Sequence, residues 1–492
     1  MWSQAVNEGL RRNSSTSAAS VLGLFIALGL VRGLLYTVLI PPWQAPDEPQ
    51  HYQMVRLTSD GLVSPQESSQ ERSQRIAAQV LQSLRDNRFW EYRYRRPAPT
   101  PSDSRTAAEI LREEKLAPAV GHPPLYYGLA VAALYPFRSA SVAVQLYVLR
   151  GLSIVFSLVT VWCIFTVGRW AWIDGSMNHA CAATLFVVFL PMRTFISAAA
   201  NNDALAEMMA SLTITVAIWC CWRGLAARQA IVLVVLMLLG LFTKRTNLFL
   251  LPLVVGFLFW RGRNRAGRGD GGATKQPHSN ADPNGHGRLA VQSQRSCAVL
   301  ATALLFAVFI TAVFLLDGVT RHWWDVPARF AQLWQADRYT AQAFNVYGLW
   351  VLLTFASFWG NFGWMNIPLD VGGYVILAVA TLALTVGVAR VTLRAWRSRR
   401  QNYPKCWAMG FCISAILLVV AQSGASMVAR QMPPQGRYLF PAMLPIALGF
   451  AWGLFEWIPP KYHPLAPGIA AASLIVLDSA SLLGYVLPYF YG

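Results

Sequence analysis

The chain has 492 residues, of which 55% are apolar and only 13% are charged. Apolar runs of about 20 residues, the length that crosses a bilayer as a helix, recur along it and exclude a soluble globular protein. The formal net charge of +18 comes from basic residues clustered in "WRGRNRAGRG" (260–269) and "RVTLRAWRSRRQNYPK" (390–405). Such clusters between apolar runs indicate cytoplasmic loops beside anionic lipid, and no nucleic-acid partner.

These features predict an all-α polytopic membrane protein with about 11 transmembrane helices, in a range of roughly 10–13. Arg11 and Arg12 precede the first apolar run, so residues 1–19 are expected in the cytoplasm. The membrane domain is expected to cover residues 20–487, with no separate soluble domain. The spans are predicted at 20–40, 141–168, 178–198, 203–222, 228–243, 246–260, 295–316, 371–390, 406–424, 439–457 and 464–487.

The connecting segments differ in character. The short apolar segments 122–137 and 345–360 are predicted to be re-entrant or interfacial. Residues 41–121 form a long extracytoplasmic first loop, in which Ile76, Val80, Leu81 and Leu84 share one face of a predicted amphipathic helix within 71–92. That helix lies either on the bilayer surface or on the protein itself. Residues 261–294, rich in Gly, Asn and Arg, predict a flexible basic cytoplasmic loop. The seven cysteines fall in or at the ends of apolar runs, so neither a disulfide framework nor a thiolate metal site is indicated.

This orientation predicts that five segments with unusual polar residues open on one external face. They are residues 41–121, the region of Asn201, Lys244, residues 359–370 and residues 422–438. Their convergence is the strongest indication of a functional site that the residues give.

The segment "PPWQAPDEPQHY" (41–52) contains the first candidates. Its prolines stop the first helix and hold the residues before them extended, and Pro49 suits the first turn of a new helix. Asp47, with Glu48 beside it, is then a candidate general base at the membrane–water boundary, and His51 follows on the same helical face. The alternative is that Asp47 merely caps the helix.

Two further motifs supply hydrogen-bonding side chains. "GHPPLYYGL" (121–129) brings His122 and Tyr126 to the point where the loop returns to the membrane, although interfacial tyrosines are commonly structural. "ISAAANNDALAE" (196–207) is a turn in which Asn202 or Asp203 is expected to cap the next span. Asp203 is also a candidate ligand, because acids are costly at this depth.

Two motifs supply cations. "LFTKRTNLFLLP" (241–252) places Lys244 and Arg245 between apolar runs on the outer side, where the positive-inside rule disfavours them. A lipid-linked phosphate would explain them, and snorkelling side chains are the alternative. "ARQMPPQGRYLFPAMLP" (429–445) adds Gln435, Arg437 and Tyr438, either as phosphate and sugar ligands or as a plain turn.

Two further positions indicate a function less specifically. Trp359, in the Gly-rich aromatic segment 357–370, is a candidate for stacking on a sugar, and a membrane-belt role is the alternative. Asp478 is an acid in the middle of the last predicted span, for which the sequence indicates no partner.

The order of these motifs resembles the C-type (GT-C) glycosyltransferases, which use polyprenyl-phosphate sugar donors. The order is "PDEPQH", "HPPLYY", "NNDALA", "TKRTNLFLLP" and "QGRYLFPAMLP". The closest likeness is to a bacterial subfamily of predicted membrane proteins of unknown function, whose first loop is similar to "PPWQAPDEPQHY" and which also resembles this chain at "SFWGNFGW" (357–364).

The resemblance implies a transfer of sugar to an extracytoplasmic cell-envelope acceptor, which is a glycan, a lipid or a protein. Asp47 takes the position of the acid that acts at the acceptor, with Glu48 in reserve, and Lys244 and Arg437 take that of the donor-phosphate ligands. The protein is then expected in the cell membrane with an extracytoplasmic site. No cofactor is certain, and dependence on a divalent metal is left open because no second acidic cluster is present.

Two other functional classes stay open at this point. One is a transporter or flippase of lipid-linked saccharides, which would use Asp203, Glu207 and Asp478 as ion sites. The other is a non-catalytic scaffold of an envelope-assembly complex. The absence of an internal repeat and the long first loop favour the enzyme over the transporter.

Overall fold

The computed structural model describes residues 2–63, 66–99, 105–170, 177–269, 341–397, 403–430 and 434–492. These residues are almost entirely helical, which confirms the predicted all-α polytopic membrane class. Their α-helices are α1 (Trp2–Leu39), α2 (Glu48–Val63), α3 (Ser69–Asp86), α4 (Phe89–Tyr94), α5 (Ala107–Glu113), α6 (Leu125–Leu134), α7 (Val142–Trp170), α8 (Met177–Phe189), α9 (Pro191–Ser197), α10 (Asp203–Arg223), α11 (Ala227–Leu241), α12 (Leu250–Gly269), α13 (Ala341–Trp359), α14 (Val371–Arg397), α15 (Tyr403–Arg430), α16 (Met443–Trp457), α17 (Ala466–Ser479) and α18 (Leu487–Tyr491).

Short elements connect some of these helices. Strands β1 (Asn361–Phe362) and β2 (Ile367–Pro368) form an antiparallel hairpin between α13 and α14. A π-helical turn, Ala480–Val486, joins α17 to α18. The 3-10 segments are Tyr135–Phe137, Arg245–Phe249, Gly436–Ala442 and Pro460–Leu465.

Within the described ranges, seven helices are long and apolar enough to cross a membrane, and eight if the bent pair α8–α9 is one span. The two predicted spans 228–243 and 246–260 correspond to helix α11, which has 15 residues, and to helix α12. A polar turn around Lys244 separates the two helices. Segments 122–137 and 345–360 contain short apolar helices, as predicted. The predicted span 295–316 and residues 270–294 of the predicted flexible loop lie outside the described residues, whereas residues 261–269 continue helix α12.

The bend between α8 and α9 has a local cause. Pro191 occupies the first turn of α9, and Leu190 before it is extended with φ −70° and ψ 110°. A proline cannot donate to the preceding turn and disfavours helical geometry in the residue before it, so the axis turns by 62°. The bend lets Arg193 reach a buried carboxylate on α10.

The first loop folds as a small helical unit on top of the spans. Ser68 and Glu71 form a capping box at the start of α3. The face of α3 that carries Ile76, Val80 and Leu84 is buried against α2 and α5, so the predicted amphipathic helix lies on the protein.

Helix α10 lies at the centre of the bundle and sets the position of the site. It packs against α7, α11 and the 3-10 segment Gly436–Ala442, and nearly all of its residues are buried. Helix α14, by contrast, is mostly exposed, and the helix that it packs against is chiefly α16. The first residue of the central helix, Asp203, is therefore held deep inside the protein.

Candidate functional site

Four charged side chains from distant parts of the chain form one ion cluster. Nη2 of Arg437 donates to Oδ2 of Asp47 at 2.5 Å, and Nη1 donates to Oδ2 of Asp203 at 3.4 Å. Nζ of Lys244 donates to the other oxygen of Asp203 at 2.5 Å. The cluster thus brings together residues from four of the five segments that were predicted to converge, and the membrane face on which they open stays a prediction.

Asp47 owes its position to the proline-bounded segment before α2. Its φ is +67°, a left-handed conformation that aspartate tolerates better than most residues. Helix α2 begins at the next residue, Glu48, and the backbone N–H of His51 donates to the carbonyl of Asp47 at 3.0 Å. The carboxylate itself points away from the helix to Arg437 and keeps 35% of its side chain exposed. The predicted helix start is confirmed, and the carboxylate binds a cation rather than capping the helix.

Glu48 lies in different surroundings from its neighbour. Its carboxylate is fully buried and accepts two hydrogen bonds from Arg150, both at 2.8 Å. It also accepts the backbone N–H groups of Trp43 and Ala200 at 3.1 and 3.0 Å. Arg150 in turn donates to backbone carbonyls at the end of α1, the nearest being that of Ile40 at 2.8 Å. Glu48 therefore joins α1, α2, α7 and the turn before α10.

The turn before α10 differs from the predicted capping arrangement. Neither Asn202 nor Asp203 caps the helix with its side chain; Oδ1 of Asn201 accepts the backbone N–H of Asp203 at 2.9 Å instead. Because Asn201 takes this role, the carboxylate of Asp203 is available for Lys244 and Arg437. The Nδ2 atom of Asn202 lies 3.4 Å from Nδ1 of His122.

The segment after α11 positions both predicted cations. Lys244 is extended, with φ −158° and ψ 144°, at the start of the 3-10 segment Arg245–Phe249, and its side chain is largely buried beside Asp203. Arg245 points the other way and donates to the carbonyl of Gly121 at 3.1 Å. The Nε2 atom of Gln422 donates to the carbonyl of Arg245 at 2.9 Å.

Arg437 is fixed by its neighbours in the 3-10 segment Gly436–Ala442. Its Nε donates to Oε1 of Gln435 at 2.5 Å, and its guanidinium carbon lies 5.6 Å from the ring centre of Tyr438. The backbone N–H of Gly436 donates to Oγ of Ser357 at 2.7 Å, which ties the segment to α13.

Aromatic and imidazole side chains form a second group, next to the ion cluster. Nδ1 of His51 lies 2.9 Å from the hydroxyl of Tyr127, and the rings of His51 and His122 are 5.4 Å apart. The ring of Tyr126 lies 5.9 Å from that of His51. Within the described residues, the buried hydroxyl of Tyr126 and Oδ1 of Asn202 have no hydrogen-bond partner.

The protonation of the groups outside the spans follows from burial and from the cluster. Burial by itself would raise the pKa of Asp47, but Arg437, through its charge and hydrogen bond, acts together with His51 and Lys244 to lower the pKa to about 2. Burial lowers the pKa of His51 to about 3. Burial and the charges of Lys244 and Arg245 lower that of His122 to about 4. At neutral pH both imidazoles are therefore uncharged, and each can donate one hydrogen bond and accept another.

Two positions that the sequence analysis singled out lie away from the cluster. Trp359 is buried among apolar side chains, with its ring 6.1 Å from that of Phe186. Asp478 forms a buried ion pair with Arg32 and accepts a hydrogen bond from Tyr36 at 2.9 Å.

The sequence analysis missed the arginines that pair with buried acids. Arg32, Arg150 and Arg193 each lie in an apolar helix and hold Asp478, Glu48 and Glu207 respectively. The available signal was an isolated arginine in an apolar run, since such a cation requires a counter-charge. Among the residues that the structure describes, no three His, Cys, Asp or Glu side chains are grouped so as to hold a metal ion.

The long apolar helices and the buried ion cluster define an integral membrane protein whose polar site lies at the connections between its spans. The chain belongs to the family described as "Predicted membrane protein (DUF2142)", whose model matches residues 30–445. This confirms the expected likeness to a family of predicted membrane proteins. No curated protein matches the chain.

Among solved structures, the chain is similar to ArnT from Cupriavidus metallidurans, crystallised bound to undecaprenyl phosphate. The two are 13% identical with a TM-score of 0.42, and the match covers 96% of this chain and 74% of the ArnT chain.

Proposed function

We propose that the protein is an integral-membrane glycosyltransferase that moves a sugar from a polyprenyl-phosphate donor to an extracytoplasmic cell-envelope acceptor. The ion cluster supports this best, because its partly exposed carboxylate, Asp47, contacts the buried cation Arg437, and Asp203 joins Arg437 to a second buried cation, Lys244. A sugar transfer from a lipid phosphate requires a base, and it requires cations beside that base that can bind the phosphate. The motifs that resemble the C-type glycosyltransferases contribute every residue of the cluster.

The charge balance of the cluster indicates how a donor phosphate would bind. Two carboxylates and two cations cancel, so an added phosphate must replace one carboxylate as the partner of the cations. Asp203 is 4% exposed and is also held by Lys244, whereas Asp47 is 35% exposed and is held by Arg437. Asp47 is therefore the carboxylate that gives way, and the donor phosphate takes its place on Arg437.

This exchange would prepare Asp47 for catalysis. Without its guanidinium partner, Asp47 loses the largest of the interactions that lower its pKa and becomes a stronger base. Asp47 accepts the proton of the acceptor hydroxyl while the hydroxyl oxygen forms a bond to the anomeric carbon. The bond from that carbon to the phosphate oxygen breaks, and its electrons leave with the polyprenyl phosphate, whose charge Lys244 and Arg437 neutralise. A single displacement of this kind inverts the anomeric configuration.

The Asp47→Asn variant tests the proposal. Asparagine accepts the left-handed backbone of this position, so the fold should be kept. Sugar transfer from a panel of polyprenyl-phosphate sugars should fall by about 10²- to 10⁴-fold, the usual contribution of a general base. Thermal stabilisation of the variant by undecaprenyl phosphate should be kept or increased, because Arg437 is then free of its carboxylate partner.

The matched control is Asp86→Asn, which neutralises an exposed acid at the end of α3 and should change neither readout. If Asp47→Asn transfers sugar at the rate of the wild type, Asp47 has no part in the mechanism. A loss of both transfer and lipid binding would show that its role is structural.

The charged groups favour this function over an ion-coupled transporter. The acids that a transporter would use are each bound to a cation: Glu207 to Arg193 at 2.8 Å, Asp478 to Arg32, and Asp203 to Lys244. Uptake of a lipid-linked sugar by vesicles that contain the protein and no acceptor would instead support transport.

A further inference from the structure

Arg93 lies in the first loop and was not among the predicted site residues. Its guanidinium stacks on a platform of aromatic rings formed by Trp364, Tyr94 and Phe89. Arg93 lies in the short helix α4, and its guanidinium carbon is 3.7 Å from the ring centre of Trp364 in the β1–β2 hairpin. The rings of Tyr94 and Phe89 follow at 4.6 and 5.5 Å. Stacking on aromatic faces orients a guanidinium while its N–H groups stay free at the edge.

Within the described residues, Arg93 has a combination of two features that none of its neighbouring arginines shares: it has no acidic partner, and one of its N–H groups is buried. Arg88 is paired with Glu91 at 2.7 Å and Arg96 with Glu114 at 2.6 Å. In the part of the chain that the structure describes, Arg93 forms no ion pair, and its buried Nη1 has no hydrogen-bond partner. A buried donor on a cation that is left unpaired is costly, so the arrangement calls for an anion.

The platform is attached to the segment that carries Asp47. Nε1 of Trp364 donates to the carbonyl of Trp43 at 2.9 Å, four residues before Asp47. The hairpin is held in turn by Asn366, which donates to the carbonyl of Tyr92 at 3.1 Å. The charges of Asp47 and Glu114 both act on Arg93, although neither acid forms an ion pair with it.

Arg93 and Arg437 are held by different elements. Arg437 comes from the 3-10 segment beside α10 and is shared with Asp203, whereas Arg93 comes from α4 and is supported by the hairpin. If the donor phosphate occupies Arg437 and Lys244, an anion at Arg93 is held by α4 and the hairpin, which do not hold the donor.

We propose that Arg93, on its Trp364 platform, is a second anion-binding position, which takes a phosphate or carboxylate group of the acceptor. The charged acceptor would thereby be placed with its hydroxyl near Asp47, in a position separate from the donor phosphate. This inference deepens the proposed function, but its test measures binding rather than sugar transfer. A protein without transferase activity would still bind the anion through Arg93.

The test uses the purified full-length protein, saturated with undecaprenyl phosphate so that the donor side is occupied. Glucuronate and glucose 1-phosphate are then titrated, with uncharged glucose for comparison, and binding is followed by calorimetry or thermal stabilisation. The wild type should bind at least one of the two anions more tightly than glucose. Arg93→Gln should weaken that binding by about tenfold or more, the order expected for one charge-assisted hydrogen bond.

Three comparisons make the result specific. Arg93→Lys keeps the charge without the planar stack and should give an intermediate affinity, which also guards against a misfolded Gln variant. Arg95→Gln removes an exposed guanidinium that stacks on Tyr489 and should bind as the wild type does. All three variants should keep the binding of undecaprenyl phosphate.

Two outcomes would overturn the proposal. One is an unchanged affinity for both anions in Arg93→Gln. The other is a loss of undecaprenyl phosphate binding in that variant, which would assign Arg93 to the donor phosphate.

Discussion

Asp47 and Glu48 are neighbours in the chain, yet their carboxylates have opposite surroundings. Asp47 is partly exposed and holds one guanidinium, whereas Glu48 is fully buried and accepts four hydrogen bonds. A general base must be reached by the substrate, and a carboxylate with all its hydrogen-bonding capacity in use cannot be. The proposal therefore assigns the base to Asp47 and a positioning role to Glu48.

The variant Glu48→Gln should destabilise the protein strongly. It leaves the charge of Arg150, whose side chain is 1% exposed, buried without its carboxylate. Removing one partner of such a pair costs about 3–5 kcal/mol, which thermal unfolding in detergent would measure. The exposed pair Arg88–Glu91 is the control, because solvent screens its charges and Glu91→Gln should leave the unfolding temperature close to that of the wild type. A Glu48→Gln protein as stable as the wild type would contradict the role given to this pair.

Among the elements, the 3-10 segment Gly436–Ala442 depends most on a single small residue. A Cβ added at Gly436 would come within 2.2 Å of the backbone nitrogen of Phe358 in α13. Only glycine allows the segment to approach α13 closely enough for Oγ of Ser357 to bind its backbone. The position of Arg437 relative to Asp47 and Asp203 follows from that contact.

Gly436→Ala should displace Arg437 and weaken the binding of undecaprenyl phosphate. Both changes follow because the clash is with backbone, which cannot move aside as a side chain would. The control is Gly410→Ala in α15, where a Cβ meets nothing within 4 Å and alanine is the better helix former. Binding titrations of both variants would check this, and equal affinities would show that the close approach does not position Arg437.

Some features of the helices agree with the sequence predictions, and one does not. The buried face of α3 and the start of α2 agree with prediction, because amphipathic spacing and proline placement act within a few residues. The predicted cap of α10 was wrong. Three polar residues, Asn201 to Asp203, follow one another, and the side chain of each could cap the helix. Contacts of Asp203 with Lys244 and Arg437 decide between them.

At the scale of the whole molecule, the site lies where the ends of several helices meet. Contacts among Asp47, Asp203 and Arg437 bring α2, α10 and the segment before α16 together, and the β1–β2 hairpin joins the same end through Trp364. Helix α14 leaves that hairpin and runs for 27 residues, so its basic end is far from the site.

This arrangement predicts a definite orientation in the membrane. With the seven native cysteines replaced by alanine, Glu71→Cys in the first loop should react with an impermeant maleimide from outside intact cells. Arg397→Cys at the end of α14 should react only after permeabilisation. Both positions are exposed, so access depends on sidedness. Labelling of both from the same side, or of Arg397→Cys alone from outside, would overturn the extracytoplasmic location of the site.

The class of protein, the spans that are long apolar runs and the segments that contain the ion cluster could all be predicted from the amino-acid sequence. These follow from properties of short stretches: the length of a hydrophobic run, the spacing of apolar residues and the placement of proline and charge. The candidates Asp47, Asp203, Lys244 and Arg437 were found in this way, because charges beside apolar runs are conspicuous.

The pairing of those charges could not be predicted and is known from the folded structure alone. Glu48 meets an arginine 102 residues away, and Asp47 meets one 390 residues away. The platform under Arg93 comes from Trp364 in a different part of the chain. The energy of a buried charge depends on which groups surround it in space, and the linear order of residues does not contain that information.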